Sequence, residues 1–326
     1  MLGGLAALAW SSDLFVVGSA ALARAMGLSP FIVGMVVIGF GTSAPELCVS
    51  ALSGFSGHAN LSLGNAYGSC VFNTAVILGV AAMITPLAVK PSVSLVAGPG
   101  LALCSVFSMC VLWDGGCGRG EAVVLLAAFL VVMPLYCWYD QWVKGNSGRA
   151  RRSAQPAAPE ARTGLGKAVV KVVVGLAALV GSAHCLVWGA VDFAKFMHVS
   201  DLLIGLTVVA VGTSLPELAS AVASARRHER EFVLGNIVGS NLFNMLAVVG
   251  LATVISPVTP ETGGFSRYVL TRDLPLLTAL SLSITIFGFN WRRPRRPGIV
   301  TRAKAAVWLL VFVAYTVLMF IQEAHG

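Results

Sequence analysis

Long apolar runs separated by short polar stretches recur along all 326 residues. Their length suits bilayer-crossing helices, which need about 20 residues to traverse a ~30 Å hydrocarbon core. The pattern predicts ten spans, at roughly 2–24, 30–54, 60–84, 93–113, 120–140, 167–196, 201–225, 231–256, 269–289 and 303–322. The long polar interruption is 141–166, where Lys144, Arg149, Arg151, Arg152 and Arg162 stand among Pro, Ser and Gly. That segment reads as a flexible linker between two halves, 1–140 and 167–326. Five spans per half is an odd number, so the second half enters the membrane in the opposite sense. The expected fold is an all-α polytopic membrane protein, ten transmembrane helices in two inverted repeats of five.

Composition agrees. The chain is 57% hydrophobic and only 11% charged, with a mean hydropathy of +0.84. A soluble domain carries about 25% charged residues. The net charge of +8 is explained by topology. With the N-terminus outside, 18 of the 22 Lys and Arg fall in inner loops, including Arg24, Lys90, the linker cluster, Arg226, Arg227, Arg230 and the run from Arg292 to Lys304. Such a positive-inside bias predicts both termini outside and the linker in the cytoplasm, with the protein multi-pass in the plasma (cell inner) membrane. The seven cysteines form no CxxC pair and read as small core residues. The first apolar stretch lacks a basic leader and reads as a span. Trp10, Trp113, Trp138, Trp142, Trp188 and Trp291 fall near predicted span ends, as aromatic belts do.

The polar residues inside the apolar runs are not scattered. Gly41-Thr42-Ser43-Ala44-Pro45-Glu46 returns as Gly212-Thr213-Ser214-Leu215-Pro216-Glu217. A second phrase, from Gly64 to Asn73, returns from Gly235 to Asn244. The copies align without a gap at an offset of 171, with 20 identities in 53 positions over 34–86 against 205–257. The paired motifs occupy 41–54 and 64–73 in one half, 212–224 and 235–244 in the other.

On a helix, Thr42 and Glu46 share a face, which Ser50 and Ser53 continue. Pro45 has no N–H to give and opens the helix near Gly41. The second copy repeats this with Thr213, Ser214, Pro216, Glu217 and Ser220. In the companion phrase Ser69 and Asn73 are four apart, as are Ser240 and Asn244. Gly64-x-x-x-Gly68 and Gly235-x-x-x-Gly239 are small-residue faces that let helices approach closely. Every group is an oxygen donor, as hard cations such as Ca2+ and Na+ prefer. A duplicated intramembrane acid points to an ion site at a repeat interface, with formal charge −2 from Glu46 and Glu217.

The paired motifs, GTSxPE followed by GNxxGSxxxN in two inverted halves, closely resemble the cation/Ca2+ exchanger superfamily, in particular its prokaryotic-type Na+/Ca2+ exchanger branch. The resemblance covers essentially the whole chain. It implies ten helices, an ion-binding core from spans 2, 3, 7 and 8, and gating by spans 1 and 6. Carried over by position, it implies the ligands Thr42, Ser43, Glu46, Ser69, Asn73, Thr213, Ser214, Glu217, Ser240 and Asn244. Some prokaryotic members carry Asp where this chain has Asn244, and the K+-dependent branch ties that Asp to K+, so Asn244 argues against K+ cotransport. Cys70, where the second copy has Asn241, is within the family's range. The proton-coupled branch places Glu shortly after the companion GN. Tyr67-Gly68 and Val238-Gly239 stand there instead.

The expected function is therefore a secondary antiporter exchanging Na+ for Ca2+ by alternating access. No cofactor, nucleotide or nucleic acid is involved, and the chain works as a monomer. The alternative within the fold is an H+-coupled Ca2+ or other divalent cation exchanger. An intramembrane enzyme would need a set such as HExxH or a Ser with a nearby His base, and neither occurs. A scaffold would bind no cation through Glu46. The central loop is too short for a folded Ca2+-sensing module. Asp13, His184 and Asp192 are the remaining polar intramembrane residues, with Asp13 read as an interfacial residue near the outer end of span 1.

Overall fold

The computed structural model describes residues 2–55, 59–148, 164–196, 210–259 and 264–325. The chain is mostly helical and integral to the membrane. In order the helices are α1 (Leu2–Met26), α2 (Pro30–Thr42), α3 (Ala44–Phe55), α4 (Ser62–Ile84), α5 (Ala97–Val111), α6 (Arg119–Gly148), α7 (Leu165–Phe196), α8 (Ala210–Thr213), α9 (Leu215–Arg226), α10 (Arg230–Ile255), α11 (Val269–Gly288) and α12 (Arg302–His325). Among the described residues, seven helices are long and apolar enough to cross a membrane, and the bent pair α2–α3 makes an eighth. The predicted span 93–113 is shorter than expected, because a separate turn at Pro91–Ser94 precedes α5. The predicted span 201–225 is described only from Ala210 onward. Helix α6 continues to Gly148, past the expected linker boundary at 141, while 149–163 lie outside the described residues.

The layering follows from where apolar surface can be left uncovered. In α10, 89% of the span is enclosed by protein, against 17% in α6 and α12. The outer helices present Leu130, Val131, Leu310 and Val313 outward. In water such faces would be a liability, whereas in a bilayer they are solvated. All six tryptophans expected in the belts are exposed, whereas Trp308 is buried with its indole N–H on Ser283 Oγ at 2.6 Å.

Helices α1 and α7, the first of each half, pack along each other in opposite directions. Ser11 Oγ lies 3.4 Å from Ser182 Oγ, a pair separated by the repeat offset of 171. Four residues further along α1, Phe15 meets Gly175, and then Gly18 meets Lys171 and Val172.

Two features depart from an all-helical reading of the loops. Strand β1 (Leu87–Val89) pairs antiparallel with β2 (Gly298–Val300), Ala88 opposite Ile299, tying the turn after α4 to the turn before α12. Lys90, next to β1, bonds Glu231 at the start of α10, 2.6 Å apart. The reading of cysteines as core residues holds for Cys70, Cys104 and Cys117. It fails for Cys48, Cys110 and Cys185, which are exposed.

Candidate functional site

The duplicated Pro-Glu segments are broken helices. Pro45 cannot donate to the turn before it, and the chain bends by 43° between α2 and α3, with Ser43 at the corner. Ser214 is the matching corner between α8 and α9, with φ −91° and ψ 9° against −82° and 7° at Ser43. In both copies the break leaves the glutamate in the first turn after the corner.

The companion helices α4 and α10 are interrupted where their asparagines sit. Each widens into a single stretch of π-helix, Asn73–Ile77 in α4 and Phe243–Val248 in α10. Such widenings frequently occur at functional sites, because the extra residue turns a side chain and loosens the backbone ladder. The spacing of Ser69–Asn73 and Ser240–Asn244 does not betray them.

The two halves interlock at this level. Ser43 Oγ donates to Glu217 Oε1 at 2.9 Å, and Ser214 Oγ donates to Glu46 Oε1 at 3.1 Å. These are one contact made twice with the roles of the halves exchanged, since 43 corresponds to 214 and 46 to 217. Ser214 Oγ also lies 3.4 Å from Ser69 Oγ. The segment bearing Glu46 packs against the π-turn of Asn244, and the segment bearing Glu217 against the π-turn of Asn73.

Of the ten candidate ligands, Thr42, Ser43, Glu46, Asn73, Ser214, Glu217, Ser240 and Asn244 are fully buried, and Ser69 and Thr213 nearly so. Thr42 Oγ1 donates to Ile38 O at 2.9 Å. Ser240 Oγ donates to Gly39 O at 3.2 Å. Among the ten candidate ligands, four buried oxygens have no hydrogen-bond partner among the described residues: Glu46 Oε2, Glu217 Oε2, Asn73 Oδ1 and Asn244 Oδ1. An unpartnered buried acceptor is costly, so native structures rarely leave one without a role. Here each half leaves one carboxylate oxygen and one amide oxygen. No group of three or more His, Cys, Asp or Glu occurs among the described residues, so the donor set suits a hard cation held by oxygen, not a thiolate or imidazole metal.

Three further residues belong to this layer and were not singled out by the motif reading. Asn236 donates to Ser220 Oγ at 3.0 Å, and its Oδ1 lies 3.4 Å from both Thr42 Oγ1 and Ser240 Oγ. Asn241 accepts from Asn73 Nδ2 at 3.2 Å and donates to Thr74 Oγ1 at 2.8 Å. Asn236 stood in plain view as the asparagine of the companion GN. Asn241 could have been found from the mismatch it makes with Cys70 inside the companion phrase. Thr74 carried no signal.

The other intramembrane polar residues lie elsewhere. Asp13 was expected near the outer end of span 1. It sits mid-way along α1 and pairs through both carboxylate oxygens with Arg227, which follows the end of α9. His184 and Asp192 are exposed. Asp273, unmarked by sequence, is buried at the start of α11, bonded by Tyr315 Oη at 2.9 Å and by Arg272 Nε at 2.6 Å. It fastens α11 to α12, and Arg272 lies over the rings of Tyr268 and Tyr315.

An integral membrane protein with two related broken helices, whose buried acids face the opposite half through an all-oxygen donor set, is a transporter of the secondary kind. The chain belongs to the sodium/calcium exchanger protein family, whose model matches residues 1–138 and 167–321. It is 33% identical over 301 residues to the inner membrane protein YrbG of Escherichia coli K12, covering 90% of this chain and 89% of that protein. It is 27% identical to the sodium/calcium exchanger MaX1 of Methanosarcina acetivorans, covering 98% and 97%. The solved structure of the sodium-calcium exchanger NCX_Mj soaked with zero Na+ and Ca2+ superposes with a TM-score of 0.80 at 28% identity, covering 97% of this chain and 96% of that one.

Proposed function

We propose that this protein exchanges Na+ for Ca2+ across the membrane by alternating access, with the ions held between two inverted five-helix repeats. The observation that carries this reading is the reciprocal pair of bonds, Ser43 to Glu217 and Ser214 to Glu46, with the second oxygen of each acid left without a partner among the described residues. Two ionised carboxylates buried at membrane depth cost roughly 3 kcal/mol or more each, so a bound cation is their natural counter-charge. One Ca2+, or two Na+, neutralises the formal −2. The proposed ligands are Glu46, Glu217, Asn73 and Asn244 at the centre, with the hydroxyls of Thr42, Ser43, Ser69, Thr213, Ser214 and Ser240 around them. Because both ions use the same oxygens, occupancy by one excludes the other, and an empty −2 site is too costly to move across the barrier. That cost couples the fluxes.

The antiparallel α1 and α7 are the proposed gating pair, and their opposite directions support the inverted arrangement. The charge distribution supports outer termini, a cytoplasmic linker and residence in the plasma membrane. The family name and the names of MaX1 and NCX_Mj support Na+ as the coupling ion.

The experiment is radioactive Ca2+ uptake into proteoliposomes loaded with Na+, with K+-loaded and pH-jumped controls. Uptake that requires internal Na+ is the expected result. Uptake driven by a pH jump alone would move the protein to proton coupling, and no uptake under any gradient would remove the Ca2+ assignment.

A second expectation concerns Asn241. It holds Asn73 Nδ2, leaving Asn73 Oδ1 for the ion, while Cys70 at the equivalent position sends its thiol to Asn241 O, and neither amide atom of Asn244 has a partner among the described residues. Asn241→Ala therefore raises the half-saturating Ca2+ concentration about tenfold, the usual effect of losing a ligand's orienting partner. Its maximal rate falls less. An unchanged concentration dependence in proteoliposome uptake would take Asn241 out of this role.

A further inference from the structure

The turn joining α11 to α12 is an ordered cationic cavity. Its order comes from its own bonds. Asn290 Nδ2 donates to Pro297 O at 3.3 Å, and Asn290 Oδ1 accepts from Arg293 N at 3.0 Å. Trp291 Nε1 is fixed on Ile286 O at 3.2 Å, with the Phe289 ring edge-on to the indole. Residues Gly298–Val300 are then pinned as β2, and Arg302 Nε closes the far side on Met83 O at 2.9 Å. The result is a cavity of about 370 Å3 lined by Trp291, Arg292, Gly298, Ile299 and Lys304. Lys304 Nζ spends two of its three hydrogens on Phe287 O and Ile299 O, and one remains.

The charge of the chain segment that forms this cavity is one-sided. From Leu274 to Gln322 the chain has no acid, and this interval holds Arg292, Arg293, Arg295, Arg296, Arg302 and Lys304. Among the described residues, no ion pair is formed by Arg292, Arg293, Arg295 or Arg296. A topology anchor would need only the charges. It would not need a folded turn, a positioned lysine or an aromatic wall. The cavity lies between the ends of two candidate spans, with Trp291 68% exposed beside it and Ile299 also uncovered. Indole at that depth sits at headgroup level, its body against acyl chains and its edge toward water.

We propose that this cavity binds the phosphate of an anionic phospholipid from the surrounding leaflet. Arg292 and Lys304 supply the donors, and Trp291 and Ile299 lie against the glycerol and upper acyl chain. Charge complementarity selects an anionic headgroup over a zwitterionic one. The flanking spans select a lipid over a free anion.

The test compares the full-length protein in nanodiscs of phosphatidylcholine with and without phosphatidylglycerol, counting retained phosphatidylglycerol by native mass spectrometry. Among the described residues Arg292 makes no side-chain bond that holds the turn, and Arg292→Gln leaves the turn intact, so its effect reads binding alone. Arg292→Gln is expected to reduce retention by roughly tenfold, in the range of a charge-assisted contact. Arg295→Gln with Arg296→Gln removes twice the charge outside the cavity and is expected to reduce it less. A diffuse field predicts the reverse order, at roughly fivefold for each charge removed, and that order would overturn the proposal. Displacement of the lipid by millimolar inorganic phosphate would also overturn it, in favour of a free-anion site.

Discussion

Glu46→Gln and Glu217→Gln each abolish Ca2+ exchange, with residual uptake at least about a hundredfold below the parent, equivalent to roughly 3 kcal/mol of lost ion binding. The substitution keeps shape and changes charge. Glutamine can still accept from the opposite serine, so the Ser214–Glu46 and Ser43–Glu217 contacts that lock the halves have a replacement partner. What disappears is half of the site's formal charge. A divalent ion then carries an uncompensated positive charge at membrane depth, and the amide also places an N–H where a carboxylate oxygen had faced the centre. The reciprocity of the two bonds makes the expectation symmetric, so both variants fail and neither merely weakens. Uptake into Na+-loaded proteoliposomes measures this, and elution as a single detergent-solubilised species shows that the fold survives. Parent-level exchange in either variant would remove that glutamate from the site.

Much of this site was readable from the chain because a duplicated motif states its chemistry twice. Matched Pro-Glu contexts locate both broken helices, since proline acts locally and its effect needs no tertiary partner. The bend at Ser43 and the break at Ser214 fall where the motif puts them. Cross-repeat geometry was less legible. Nothing in GTSAPE says that its serine will bond the other copy's glutamate instead of its own. That choice depends on how two helix pairs meet. The π-turns at Asn73 and Phe243 are likewise set by packing. Asp273 lies inside the predicted span 269–289 with no motif to mark it, and only the arrival of Tyr315 from α12, 42 residues away, shows it as a buried fastening. Strands of three residues, such as β1 and β2, fall below any periodicity a sequence can display.

Gly239→Ala is the substitution expected to do most damage to the fold itself. A Cβ at Gly239 would collide with Met35 O and lie 2.7 Å from Met35 C and 2.8 Å from Met35 Cα, all backbone atoms. Gly235, one turn earlier, would meet Phe31 O and Met35 N in the same way. This is the small-residue face expected of Gly235-x-x-x-Gly239, and it lets α10 lie directly on the backbone of α2. The matching partners of Gly64 and Gly68, residues 202–206, lie outside the described residues. Overpacking a core commonly costs about 1–3 kcal/mol, and the upper end applies where the obstacle is backbone that cannot change rotamer. The damage reaches the proposed ion site because the same contact seats Ser240 Oγ on Gly39 O and brings Asn236 Oδ1 to Thr42 Oγ1. Separating α2 from α10 breaks both contacts and displaces the corner at Ser43 that holds Glu217. The expected outcome is a markedly lower thermal midpoint in detergent, together with loss of exchange. Gly120→Ala is the matched control, in the exposed first turn of α6 with no neighbouring heavy atom within 4 Å, and it leaves both unchanged. A Gly239→Ala protein with the parent's midpoint and the parent's uptake would mean that α2 and α10 can part without cost, and that close approach is not what assembles the site.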